Sequence, residues 1–474
     1  MTPGLRAEPS AQVNVSRETY APATRRRRWL ALSALMLGTT LLVAACGAPP
    51  GPQGWAAPQP IKINNQQVIL VPHKAHLYAL PDGSSTELWE FPPKDKNSYP
   101  ASGETRGQLA AAVSGAGIDA AARTQIEQKI GDLKVSGPTA NDLKAAITNS
   151  GASDVAKKQI KDEIDVAISF EKKSLDGLKA LYGDVGVSSD GKTAYVPTFK
   201  GVIFALDTAT GEVRWVRNAG GEKDLGAGLV GGIAVDGNAI YFGTKSKRIR
   251  ALDAKTAQQL WSFGANGEIW ATPTVDGDTV YATSLDGSVY ALDKSSGKQR
   301  WHFTGAGSGI ASRPVVAGDA VYVGSFDNKL YSIKTSDGTM NWSLSAGNWF
   351  WATPVVQDNV VYAASLDGKV YAVDAATGVA KWPKPFDAGS AIRSGPVIAA
   401  GGLVVAARDG NVYKLDLNDG HKSEGSPVLA GTSVLANLTV SGDTMVLISP
   451  TSATLYVLNA SGDIGAPASF PLPQ

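Results

Sequence analysis

Residues 291–301 read ALDKSSGKQRW, and the same eleven-residue phrase returns as ALDTATGEVRW at 205–215, ALDAKTAQQLW at 251–261, SIKTSDGTMNW at 332–342 and AVDAATGVAKW at 372–382. Weaker copies stand at 79–89 (ALPDGSSTELW), 414–424 (KLDLNDGHKSE) and 457–467 (VLNASGDIGAP), the last two without the final Trp. From 205 onward the copies begin 40–46 residues apart. A period of that size marks a repeat architecture, in which each unit buries its apolar faces against its neighbours.

Residues 270–303 show how one unit is built. ATPTV runs into Asp276-Gly277, TVYATSL into Asp286-Gly287, SVYALD into a Ser/Gly turn, and KQRWHF closes the unit. Asp-Gly between apolar runs is a hairpin signal, so each unit is predicted to hold four short antiparallel strands. Runs such as Val289-Tyr290-Ala291-Leu292 place apolar groups on both faces of a strand, as a sheet packed between two others requires. Four strands in about forty residues make one propeller blade. Eight copies predict an all-β chain of eight blades, or seven if the degenerate last copy forms none.

Within the phrase, Asp207, Asp253, Asp293 and Asp374 are placed to accept N–H groups of the turn, and Gly211, Gly297, Gly338 and Gly378 allow the positive φ of the reversal. Trp89, Trp215, Trp261, Trp301, Trp342 and Trp382 are predicted to dock blade onto blade. An indole buries roughly 150–250 Å², worth on the order of 4–6 kcal/mol as an upper bound.

The pattern A-x-D-x-x-T-G-x-x-x-W resembles the tryptophan-docking repeat of the quinoprotein-type, or PQQ-like, β-propellers, over about residues 61–90 and 183–467. WD-type propellers are disfavoured, since no Trp-Asp strand ending recurs. The resemblance implies a PQQ-like propeller of four-stranded antiparallel blades, usually eight in number.

Between Trp89 and the next unit lies a helical insertion at about 100–181, after the first blade. It carries its own repeat: 107–130 matches 141–164 at an offset of 34, pairing Leu109 with Leu143, Val113 with Ile147, Gly117 with Gly151 and Ile126 with Ile160. Two helical hairpins follow, separated at Pro138. Ile160, Ile164 and Ile168 make an apolar stripe that needs cover, from the other hairpin or from a partner protein.

The amino terminus reads as an export signal. Arg25 to Arg28 precede an apolar run, Trp29 to Ala45, and then Val43-Ala44-Ala45-Cys46-Gly47. A basic region, a short apolar core and small residues at a cleavage point define a signal peptide over 1–45, and the tetrad resembles the bacterial lipobox. That resemblance makes Cys46 a lipidated first residue. Residues 46–60 are Pro/Gly-rich and read as a tether. The first blade is expected over 61–99, the insertion over 100–181 and the other blades over 182–474. The expected location is the extracytoplasmic face of a bacterial membrane, periplasmic or at the cell surface.

Whole-chain charge is 44 basic against 43 acidic residues, and without residues 1–45 it becomes 38 against 41. Such a balance excludes the broad basic surface of a nucleic-acid binder. Cys46 is the only cysteine, so the domain has no disulfide and no thiolate metal or haem site. His73, His76, His302 and His421 form no ligand motif and are expected at the surface. A cluster does stand out in the connections entering the blades. Trp270, Trp351 and Arg393 each precede a proline by three residues, with Trp349, Phe350 and Arg313 nearby. These groups are expected around one mouth of the axial channel, where aromatic rings and guanidinium groups bind peptides, sugars or planar ligands.

In PQQ-dependent dehydrogenases the cofactor lies between an indole and a vicinal disulfide, beside calcium, and half of that sandwich cannot form here. The leading expectation is therefore a non-enzymatic, membrane-anchored scaffold with protein partners in the cell envelope, no catalytic residues, no metal and no cofactor. The lipobox, tether and eight repeats are similar to those of propeller lipoproteins in the outer-membrane β-barrel assembly machinery. The alternatives are a binder of PQQ or another small ligand, catalytic or sensory, and an envelope carbohydrate-binding module.

Overall fold

Each phrase is the turn and last strand of a four-stranded sheet. The computed structural model describes residues 56–470, apart from 83, 85, 96–98, 177, 179–180, 220–227, 430–432, 435, 442–443, 449–452 and 459–463. The expected signal peptide, Cys46 and most of the tether lie outside the described residues.

The described residues form eight four-stranded sheets, each from four consecutive strands in antiparallel order. Blades 1 to 8 span 59–91, 186–218, 234–264, 274–303, 315–345, 355–387, 397–429 and 439–470. Blade 4 shows the plan: β13 (Thr274–Asp276), β14 (Thr279–Thr283), β15 (Val289–Asp293) and β16 (Gln299–Phe303). The first strand of each blade lies innermost, against the first strand of a neighbour, as β13 does against β17 (Val315–Ala317). Blade count, all-β class and the helical insertion after the first blade agree with the sequence reading.

The phrase residues join the blades as their chemistry demands. Every phrase Trp donates its indole N–H to a backbone carbonyl of the next blade: Trp89 to Thr208 at 2.8 Å, Trp215 to Ala254 at 3.1 Å, Trp261 to Lys294 at 2.8 Å, Trp301 to Thr335 at 2.7 Å, and Trp342 and Trp382 to Ala375 and Leu417 at 3.0 Å. In blades 2 to 6 a tyrosine of the second strand flanks the same indole, as Tyr281 does Trp301 with ring centroids 5.7 Å apart. Asp293 accepts from the Ser295 and Ser296 amides at 3.2 and 3.0 Å, holding the turn.

The phrase glycine does more than permit a turn. Gly338 has φ +76°, and a Cβ there would sit 2.6 Å from the Trp301 ring, so the indole of one blade lies directly on the turn of the next. Blade 3 departs from this, with Ala257 at φ 55° in the glycine's place. Two joints have no tryptophan. Blade 8 meets blade 7 through Val404, Val412, Met445 and Leu447, and closes on blade 1 through Ile69, Tyr78 and Val446. There the Thr439 hydroxyl donates to the Pro58 carbonyl at 2.8 Å, so packing rather than an exchanged strand seals the ring.

The insertion forms α1 (Gly103–Gly115), α2 (Ala120–Gly131), α3 (Thr139–Thr148) and α4 (Asp154–Asp176). Ser102 and Asp119 cap α1 and α2 through their side chains, satisfying amides that have no partner in the first turn. The two hairpins bury Leu109, Val113, Ile126, Leu143, Ile147, Ile160 and Ile164 against one another. Buried Glu171 of α4 ties into the start of α1, accepting from the Ser102 amide and hydroxyl at 3.1 and 2.6 Å. Outward, α1 packs on β8 (Val213–Asn218), the outer strand of blade 2. Arg217 pairs there with Glu104, and Arg106 with Glu212 at 3.2 Å. The module therefore covers one blade edge, the usual protection of an unpaired strand. Among the described residues no helix is long and apolar enough to cross a membrane.

Candidate functional site

The linkers entering the blades run past the axis with a fixed alternation. Leu181, Leu229, Ile269, Ile310, Phe350 and Ile392 occupy one register and are all buried between blades. The next register faces the channel mouth: Tyr182, Val230, Trp270, Ala311, Trp351 and Arg393. Two residues further along stand the innermost wall residues, among them Asp184, Thr272, Arg313 and Thr353. Adjacent linker residues thus part company, as neighbours on an extended chain do.

Trp270, Trp351, Arg313 and Arg393 are therefore brought together around one narrow cavity of about 100 Å³. Phe350 is not part of it. It is fully buried and packs edge-on against Tyr371, a blade-core position where other units use Leu or Ile. Trp349 lies outside the cavity in an aromatic ladder that the sequence reading missed. Phe326, from the loop after the second strand of blade 5, lies between Trp349 and Trp351, with centroids 4.7 and 5.1 Å away and planes within 29° and 22°. The Arg393 guanidinium lies over the Trp351 ring at 4.4 Å. Trp270 donates its indole N–H to Glu268 at 2.7 Å.

Across the axis, Tyr182 packs against Phe199 with centroids 4.9 Å apart, and Lys245 lies 5.2 Å from the Phe199 ring centre. Deeper in the wall, Asp184 accepts from the Ala57 amide at 2.9 Å, so the chain enters the domain at this mouth. Burial pushes the Asp184 carboxyl up, against the opposing pull of the Ala57 amide, Arg313 and the Thr272 hydroxyl.

The loops that carry these groups share one backbone frame. In blades 3 to 7 the second residue after the second strand donates its amide to the linker of its own blade, as Leu285 does to Glu268, Phe326 to Gly309 and Leu366 to Trp349, each at 2.9 Å. Below it an aspartate holds the loop, as Asp286 does by accepting from Tyr290 at 2.8 Å and from the Ser288 amide at 2.9 Å. On that frame the displayed side chain changes from blade to blade: Phe199, Lys245, Leu285, Phe326, Leu366, Arg408. The repeated tetrad Ser-Leu-Asp-Gly, with Phe326 in its second place, was the readable signal for this position.

The histidines correct one expectation. His421 is exposed, but His73 is buried at 5% exposure in the turn region of blade 1, and His302 stacks on Tyr290 at 4.4 Å. Among the described residues no group of His, Cys, Asp and Glu side chains is arranged to hold a metal ion. PQQ does not fit the residues present. The chain has one cysteine, so the vicinal disulfide face is missing. The cavity of about 100 Å³ is below the roughly 300–1,000 Å³ of ligand pockets. Phe326 and Trp351 are also already engaged, Phe326 with two indoles and Trp351 with Phe326 and Arg393.

Fold and repeat together define a propeller of PQQ-like units. A family model described as outer membrane protein assembly factor BamB matches residues 200–313 and 303–468, more than half of the chain, and the chain belongs to that family. Among solved structures, it is similar to BamB from Moraxella catarrhalis at 25% identity, covering 56% of this chain and 80% of that one, with a TM-score of 0.48. The computationally designed Ika8 protein follows at 16% identity, 61% and 96% coverage and a TM-score of 0.43. A chain of the mitotic checkpoint complex gives 15%, 56%, 83% and 0.47. No curated protein sequence matches.

Proposed function

We propose that this chain is a lipid-anchored scaffold of the bacterial cell envelope that binds protein partners without catalysing a reaction or holding a cofactor, and that it serves the assembly of outer-membrane β-barrels. Membership of the BamB family supports the setting. The observation that carries the binding role is the row of outer blade edges. β8 is covered by the helical module, whereas β12 (Gln259–Gly264), β16 and β20 (Met340–Ser345) each end their sheets. Leu260 and Met340, both 51% exposed, project from two of them. An edge strand presents N–H and C=O groups to an incoming strand, and exposed apolar side chains beside it add contact area. Unfolded or partly folded β-chains are the natural partners of such edges.

A photo-crosslinking residue placed at Leu260 or Met340, in cells carrying the full chain, tests this reading. Adducts with barrel-assembly components or barrel precursors are expected, and fewer from Lys158 on the helical module. A pattern independent of position, or no adduct from either edge, removes it.

A further inference from the structure

We infer that the channel-mouth face lies against the membrane, and that the sector formed by blades 2 and 3 binds anionic lipid headgroups. This rests on the anchoring part of the proposed function, because its first step is the length of chain between lipid and domain. Ala56 and Ala57 sit at the mouth, where the Ala57 amide is held by Asp184. Cys46 is ten residues earlier, a reach of at most about 35 Å for a fully extended chain. The mouth face is thus the one the anchor draws toward the bilayer. The opposite face, which carries the phrase turns, stands further off by the strand length, about 17–20 Å.

The chemistry of the mouth face is uneven, and its basic part matches a headgroup layer. In the loops of blades 2 and 3, Phe199, Lys200, Lys247 and Arg248 are exposed, and Lys245 is half-buried over the Phe199 ring. These two loops, 198–201 and 244–248, thus hold four basic side chains and no acidic one. In the corresponding loops of blades 4 to 6, Asp286, Asp327 and Asp367 alternate with Leu285, Phe326 and Leu366. Clustered Lys and Arg attract anionic lipid within a Debye length of the surface, and an aromatic ring between them suits the interface between headgroup and acyl chain. Phe199, 39% exposed and braced by Tyr182, is placed for that role.

The test uses the mature full chain, whose intact mass is first measured to establish whether Cys46 carries acyl groups. The protein is reconstituted with vesicles of phosphatidylethanolamine and phosphatidylglycerol, and separately with phosphatidylcholine, and amide hydrogen exchange is followed. Exchange in loops 198–201 and 244–248 is expected to slow at least about five-fold in the anionic vesicles alone, the effect of roughly one cation near such a surface. Lys200→Glu with Lys247→Glu is expected to abolish the slowing, while Lys255→Glu with Lys298→Glu on the opposite face preserves it. Equal exchange in both vesicle types, or protection that survives the first pair, overturns the inference. An unacylated Cys46 overturns the anchor instead. Vesicles added to that soluble protein then read the same loops, and protection there retains the lipid site while its absence removes it.

Discussion

Two parts of each blade share a repeat but obey different rules. At the joints the side chains are nearly invariant from unit to unit: Trp on a positive-φ turn, its N–H on a carbonyl, a Tyr beside it. At the mouth the backbone is equally regular, strapped by the same amide bonds, yet the displayed residue passes through Phe199, Lys245, Leu285, Phe326, Leu366 and Arg408. Uniform packing makes the ring. Variation on a uniform frame gives each blade its own surface. Substitutions at joints should therefore cost stability and those at the mouth should change what is bound.

Trp301→Ala should show the largest effect. It removes a buried indole, its bond to Thr335 and its contacts with Tyr281 and Gly338. A loss of about 3–5 kcal/mol is expected, read as a lower urea midpoint. Gly338→Ala follows at about 1–3 kcal/mol, because the new Cβ meets the indole at 2.6 Å and takes a left-handed φ. A loss below about 0.5 kcal/mol in either variant would mean that the joints yield as readily as the loops.

His73 breaks the division, since it belongs to a mouth-side loop yet is buried. Burial, with help from Lys74 and His76, lowers its imidazole pKa from 6.5 to about 4. The unfolded chain therefore takes up a proton more readily between those values, so the contribution is full above pH 6.5 and is lost as pH falls toward 4. Wild type should lose on the order of 1–3 kcal/mol across that window. Thermal melts of His73→Gln should be nearly flat there, and a slope equal to wild type would assign the dependence to other groups.

Phe326→Ala tests the mouth directly. Each of its two aromatic pairs is worth about 0.5–1.5 kcal/mol beyond area burial, so a loss of about 1–3 kcal/mol is expected, read as a lower urea midpoint. Partner or lipid contacts read in cells should change further than stability does.

How much of this was legible follows from where each contact lies in the chain. Trp, Gly and Asp of the phrase announced blade, turn and joint, because repetition turned a weak local signal into a period. Contact between Trp301 and Gly338 was also written in the sequence, as a spacing of 36–38 residues between one phrase Trp and the next phrase Gly in blades 3 to 7. Mouth residues Trp270, Trp351 and Arg393 could be aligned on the following proline. Phe350 could be misread because adjacency in sequence says nothing of alternation, although Ile269, Ile310 and Ile392 at its register marked a core position. Phe326 and Tyr182 were invisible by that route. Their partners come from other segments, Phe199 from a loop of the same blade as Tyr182 and Trp349 and Trp351 from the linker into the blade after Phe326.

The smallest effect sharpens the comparison most. Blade 3 carries Ala257 at φ 55° where other joints carry glycine, packed with Trp215. Ala257→Gly relieves a left-handed alanine, worth about 1–2 kcal/mol. It also removes a buried methyl, about 0.8 kcal/mol, and frees the unfolded chain by about 0.4–1 kcal/mol. These terms nearly cancel, so the midpoint should move by less than about 1 kcal/mol in either direction. The reverse change in blade 5, Gly338→Ala, carries the left-handed cost and the clash together. A large loss from Ala257→Gly would show that joint 2–3 has repacked around its methyl group and that invariance is a property of the joint's shape, not of its glycine. A clear gain would instead mark blade 3, beside the basic sector of the mouth, as a joint held under strain.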